Sequence, residues 1–188
     1  SSSAPQACKD PFVFDQSPVD VSKATAVLYP GQTRGDNYKA HGGFAFDNQT
    51  NNLVNVKMPY DAYLVGGARY YESGELQYRF EFVSECGIAI MFDYLATVSD
   101  RLKKIADSYL PQPEPNNSKG AVIEAPELFR PGELVASSIG FSNKLNIGLD
   151  FGVYDYRSPN QASKGAAYRK AHGDYPATNF YGVCWFSM

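Results

Sequence analysis

The sequence predicts a mainly β, antiparallel domain with one short helix, and three observations predict it. Aromatic residues make up 14% of the chain, with 14 Tyr and 12 Phe, the types that half-buried pleated strands favour. The 16 Gly and 12 Pro are the punctuation of turns rather than of helix interiors. The segment Tyr78-Arg-Phe-Glu-Phe82 alternates with period two, the mark of a strand with one buried face. A length of 188 residues fits one domain. With 44% hydrophobic and 20% charged residues, the chain can bury a core.

In chain order, residues 1–23 lack periodicity and contain Pro5, Pro11 and Pro18, so they read as an extended arm over a single β domain at 24–188. Ala24 to Tyr29 is a short strand stopped by Pro30-Gly31. Tyr38 to Asp47 is strand-like and interrupted by Gly42-Gly43, and 47–52 is an Asn/Asp turn. Leu53 to Met58 alternates, and three strands follow at 62–71, 76–83 and 86–95. The helix is expected at Val98 to Asp107, with Ser99 as its cap and Leu102, Ile105 and Ala106 on its inner face. Pro111 to Ser118 is expected to be a loop that stays out of any sheet. Strands are expected at 121–123, 133–138 and within 145–156. A polar stretch at 165–173 leads to an apolar final strand at 180–188, which carries Tyr181 to Phe186.

Charge and hydropathy exclude two classes of partner. Lys and Arg number 17 against 20 Asp and Glu, so there is no basic excess to meet a nucleic-acid backbone or an anionic membrane. Runs such as Gly87 to Phe92 fall far short of the roughly 20 residues of a transmembrane helix. Three cysteines, Cys8, Cys86 and Cys184, suit one disulfide and one spare thiol in an oxidising compartment. The expected bond is Cys86–Cys184, between two apolar runs. The start, Ser1 to Ala7, is small and polar, compatible with the trace of a cleaved leader. Asn48-Gln-Thr50 and Asn116-Asn-Ser118 match the glycosylation pattern.

Chemistry-bearing residues are few. His41 and His172 are the two histidines, and no Gly-x-Ser-x-Gly nucleophile elbow occurs. Asp150 stands inside the apolar run Leu149 to Tyr154, where a carboxylate needs a partner or a wet cleft. Arg69 and Arg79 are candidate partners. Tyr63, Tyr70, Tyr71, Tyr78, Tyr154, Tyr156 and Trp185 offer rings that either line a groove or fill a sheet core.

From Tyr38 to Tyr156 the chain resembles the lysostaphin-like, or LytM-type, zinc endopeptidases with the duplicated hybrid motif fold. His41-Gly-Gly-Phe-Ala-Phe46 resembles their His-x-Gly-x-Asp-Phe segment, and Val56 to Val65 their Val-x-Ala-Pro-x-Asp-Gly-x-Val strand. Ile90 to Ser99 is similar to Tyr-Ala-His-Leu-Ser, and Phe129 to Gly140 to Val-x-x-Gly-x-x-Ile-Gly. Gly148-Leu-Asp-Phe-Gly lies where the family carries His-x-His-Phe-Glu.

Carried over by position, the zinc ligands become His41, Ala45 and Asp150, and the remaining catalytic histidines become Tyr94 and Gly148. Only His41 keeps its type. The resemblance therefore implies the fold without the reaction: a pseudoenzyme with His41, Tyr94 and Asp150 lining a vestigial groove. No cofactor is expected, with His41 and Asp150 as the only metal candidates should zinc return. The expected setting is extracellular, periplasmic or cell-envelope. The expected ligand there is a cell-wall polymer (peptidoglycan or another glycan) or a partner protein. The rivals are a hydrolase of peptide, glycan or ester bonds rebuilt on His41, Asp150 and Tyr94, and a structural or adhesive module.

Overall fold

The computed structural model describes residues 9–142 and 146–188. Most strands join one large sheet. Along its main path lie β1 (Ala26–Leu28), β4 (Gly42–Ala45), β12 (Gly148–Asp155), β8 (Ile88–Val98), β7 (Glu75–Val83), β6 (Ala62–Glu72) and β10 (Ala121–Phe129), each antiparallel to the next. β11 (Leu134–Ile139) pairs with both β8 and β5 (Val56–Lys57). β2 (Gln32–Arg34) and β3 (Asn37–Lys39) form a separate hairpin. The chain is mainly β, as its aromatic and turn-forming composition predicts.

One face of the sheet carries the core. Leu149, Phe151 and Val153 of β12 alternate inward to join Ile88, Ile90 and Phe92 of β8 and Phe80 and Phe82 of β7, all buried. The period of two that exposed these strands in the sequence thus sorts their side chains by face. The segment 12–19 closes this core from below: Phe14 stacks on Tyr60 with centroids 5.6 Å apart, and Val19 is buried.

Helix α1 (Asp100–Tyr109) starts two residues later than expected, because Val98 completes β8. Its cap is Ser99, whose Oγ accepts the Leu102 amide at 3.4 Å, and Leu102, Ile105 and Ala106 are buried. Ser99→Ala is expected to cost about 1 kcal/mol, measurable as a lower urea midpoint with an unchanged slope.

Four expectations are corrected. Glu114–Pro115 is a strand, β9, parallel to Tyr70–Tyr71 of β6. Proline forfeits only its own donor, and at an edge the pairing survives because the Asn116 amide donates to the Tyr71 carbonyl at 2.7 Å. The Leu53 to Met58 segment keeps only the two-residue β5. The polar stretch holds a helix, α2 (Ala166–Ala171), and Pro176 opens a third, α3 (Pro176–Asn179), so α1 is not alone. The final segment is not a strand. It touches the sheet through one bridge, Tyr154 with Gly182, and then turns to bury Trp185 between Phe44 and Phe151, both with centroids at 5.0 Å. Its apolar residues serve one anchor, not a ladder.

The expected Cys86–Cys184 bond is also absent. Cys86 takes part in a disulfide, whereas Cys184 is a free, exposed thiol. The turned C-terminal segment leaves Cys184 on the surface. Cys8 lies outside the described residues.

Candidate functional site

The face of the sheet opposite the core carries the polar residues. His41 enters β4, and the register sets Gly43 opposite Asp150 and Ala45 opposite Gly148. Gly43 has to be glycine here, since a Cβ would lie 2.3 Å from the Leu149 carbonyl oxygen. On its other side β12 pairs Asp150 with Asp93 of β8. The positions 41, 45, 148 and 150 therefore meet on two adjacent strands.

Tyr94 reaches the same place through a defect in β8. Tyr78 of β7 pairs with Leu95 and Phe80 with Phe92, so β8 holds one extra residue in this stretch. Tyr94 takes a left-handed φ of +63° there, an unusual state for an aromatic residue. Such a bulge re-aims side chains. As a result Tyr94 lines a cleft together with Asp150, although its neighbour Asp93 is the residue that pairs with Asp150 across the strands. The Tyr94 amide donates to Asp93 Oδ1 at 2.8 Å, and its carbonyl accepts the Gly140 amide at 2.7 Å.

The cleft has a volume of about 280 Å³ and is lined in part by Arg34, Lys39, Glu72, Tyr94 and Asp150. His41 Nε2 lies 2.8 Å from Asp150 Oδ2. The Arg34 guanidinium stands 3.6 Å from Asp150 Oδ1 and donates to the His41 carbonyl at 3.4 Å. Asp150 thus pairs with Arg34 and His41. The expected alternatives are occupied elsewhere: Arg69 pairs with Asp107 and Arg79 with Glu81. Gly152 leaves room for the Tyr154 phenol, since a Cβ there would lie 2.5 Å from its hydroxyl oxygen and 3.0 Å from the His41 Cβ.

Electrostatics set the protonation of two neighbours. Burial pushes the Asp93 carboxyl up to about 6, against the counter-pull of a 2.6 Å bond donated by the Tyr70 hydroxyl. Burial, reinforced by the Glu72 and Asp93 carboxylates, holds the Tyr94 phenol well above its ordinary value. Tyr94 is a neutral hydrogen-bond donor, not a phenolate ligand.

Zinc does not fit this donor set. Ala45 offers a methyl and Gly148 no side chain, while His41 Nε2 is engaged by Asp150. The fixed cation of Arg34 sits beside the only carboxylate that a metal would share with His41. Among the described residues no group of three or more His, Cys, Asp or Glu is arranged to hold a metal ion.

Several cleft positions carried no motif in the sequence. Arg34 and Lys39 flank His41 within seven residues, and Glu72 ends β6. Asp93 had the same signal as Asp150, a lone carboxylate inside an apolar run. Of the rings that the sequence offers either to line a groove or to fill a sheet core, none lines this cleft. Tyr78 and Trp185 are in the main core, Tyr70 and Tyr154 are buried, and the cleft rings are Tyr94, Phe44 and Phe141. His172 stacks on Tyr38 with centroids 4.0 Å apart. Comparison with known proteins returned no matching family model, no matching curated protein and no matching solved structure.

Proposed function

We propose that this chain is a non-catalytic, LytM-like domain of the duplicated hybrid motif type. It binds a cell-wall polymer, a glycan or a partner protein in the cleft lined by Tyr94 and Asp150, with His41 held against Asp150 beside it. The observation that carries this reading is the meeting of positions 45, 94, 148 and 150 around one cleft, with the metal donors replaced and a guanidinium beside Asp150; His41, expected on the lining, instead stands behind it, bonded to Asp150. An open cleft of about 280 Å³ favours binding over a purely structural or adhesive role. The disulfide at Cys86 supports an extracellular, periplasmic or cell-envelope setting.

The test has two parts. After incubation with zinc and dialysis, the protein is expected to retain no stoichiometric metal, and a His41→Ala control is expected to behave identically. Purified peptidoglycan is expected to pull the protein down, and Asp150→Ala to weaken capture. Stoichiometric zinc that disappears with His41→Ala overturns the reading.

A second reading rests on the 2.8 Å His41–Asp150 contact, the carboxylate-oriented imidazole that acid–base catalysis uses. It makes the domain a hydrolase of peptide, glycan or ester bonds. That reading requires turnover of such a substrate that is lost in His41→Ala. Turnover unaffected by the substitution, or none at all, removes it.

A further inference from the structure

The charges of the cleft are divided between its walls. Arg34 at the end of β2 and Lys39 at the end of β3 bring two cations from one hairpin, over β4 and β12. Across the cleft Glu72, at the end of β6, brings a carboxylate beside the Tyr94 hydroxyl. Asp150, between them, is already held by His41 and Arg34.

One group on the cationic wall has unmet bonding capacity. Arg34 uses Nη2 toward Asp150 and the His41 carbonyl, but its Nη1 is buried with no hydrogen-bond partner. A guanidinium donor shut away from water without an acceptor is costly. Its fork geometry is matched by a carboxylate. Lys39 enters no ion pair among the described residues and can share the same anion. On the opposite wall, the Glu72 carboxylate is free to accept from an ammonium group in addition to Tyr94.

A simple anion entering the cleft would face Glu72 and Asp150, and a simple cation would face Arg34 and Lys39. Only a ligand carrying both charges satisfies both walls. The volume, about 280 Å³, falls just below the usual range for drug-sized ligands. It suits a unit of one or two residues. Phe44, Phe141, Leu28 and Leu149 supply apolar contact for its short side chains.

We infer that the cleft recognises a small zwitterion, an amino-acid or dipeptide unit with a free amine and a free carboxylate. The carboxylate goes to Arg34 and Lys39 and the amine to Glu72. This rests on the binding role proposed for the same cleft, and it names the ligand chemistry.

The experiment is titration calorimetry with dialanine, its N-acetyl form, its C-terminal amide and the doubly blocked form. Each single block is expected to weaken binding about tenfold, the loss of one charge-assisted contact, and the double block to abolish it. In Arg34→Gln, dialanine and its amide are expected to bind alike. In Glu72→Gln, dialanine and its acetyl form are expected to bind alike. Lys39→Gln, a half-buried position outside the Asp150 contacts, is expected to lose severalfold and guards against disturbance of Asp150 in Arg34→Gln.

Equal binding of free and doubly blocked dipeptide overturns the inference, as does absence of binding by any of them at millimolar concentration. Peptidoglycan capture measured on the same samples separates the two proposals. Capture retained without any charge dependence leaves the binding role standing and removes only the zwitterion.

Discussion

Phe151→Ala is expected to lower stability by about 3–5 kcal/mol, the range for an aromatic residue removed from a fully packed core. Phe151 has no exposure. Its ring lies 5.0 Å from Trp185, 5.2 Å from Phe92, 6.0 Å from Phe14 and 6.1 Å from Phe44. Those four rings come from the C-terminal segment, β8, the N-terminal segment and β4. No single element can therefore relax to fill the vacated space. Urea denaturation should show a large fall in midpoint with an unchanged slope. Tyr156→Ala, at a position 44% exposed, should remain within about 1 kcal/mol of the parent. A loss below 1 kcal/mol for Phe151→Ala would show that the ring cluster does not close the core.

Asp93→Asn is expected to stabilise the protein, by about 1–3 kcal/mol above pH 7. Burial raises the carboxyl from its ordinary 3.8 to about 6 in the folded chain. Between these values the folded state binds more protons than the unfolded state, so stability falls as pH rises through the window from about 4 to 6. Above it the ionised carboxylate bears its full desolvation cost, partly offset by Tyr70, the Tyr94 amide and Arg79 and increased by Asp150. Asparagine keeps an oxygen for the Tyr70 hydroxyl and the Tyr94 amide and removes the charge. The gain should shrink as pH drops through 6 and vanish only below about 4, where Asp93 is protonated in both states. Stability curves of parent and variant that stay parallel across that window would assign the pH dependence to other groups.

The legible part of the fold follows from side-chain periodicity. Strands β6, β7 and β8 are long runs with aromatic and branched residues, and each was readable within a few residues of its ends. The α1 cap was readable because Ser99 precedes an inner face spaced as Leu102, Ile105 and Ala106. What escaped depends on partners distant in sequence. β9 is a strand only because the Tyr71 carbonyl awaits a donor. The run at 181–186 contains strand-forming residues, but Trp185 gains more from the Phe44–Phe151 gap than from a ladder.

The cleft was half legible for the same reason. Asp150 signalled itself as a carboxylate in an apolar run, and the structure gives it His41 as a partner. Arg34 sits in a turn-rich stretch with no pattern, so its reach to Asp150 follows only from how the β2–β3 hairpin folds over β4. The β8 bulge was invisible: Asp93-Tyr94 reads as ordinary alternation, and only the three-dimensional register shows the extra residue.

The contact between His41 and Asp150 joins residues 109 positions apart. Closing so long a loop is slow relative to forming the β6–β7–β8 meander, whose partners are near in sequence. The cleft is therefore expected to assemble late in folding, when β4 meets β12. A ligand held between the β2–β3 hairpin and the end of β6 would act as a clasp across that seam. Its binding energy would add directly to resistance against opening, in proportion to RT ln(1 + [L]/Kd), so rising ligand concentration should raise the melting temperature and protect the β4–β12 amides from hydrogen exchange.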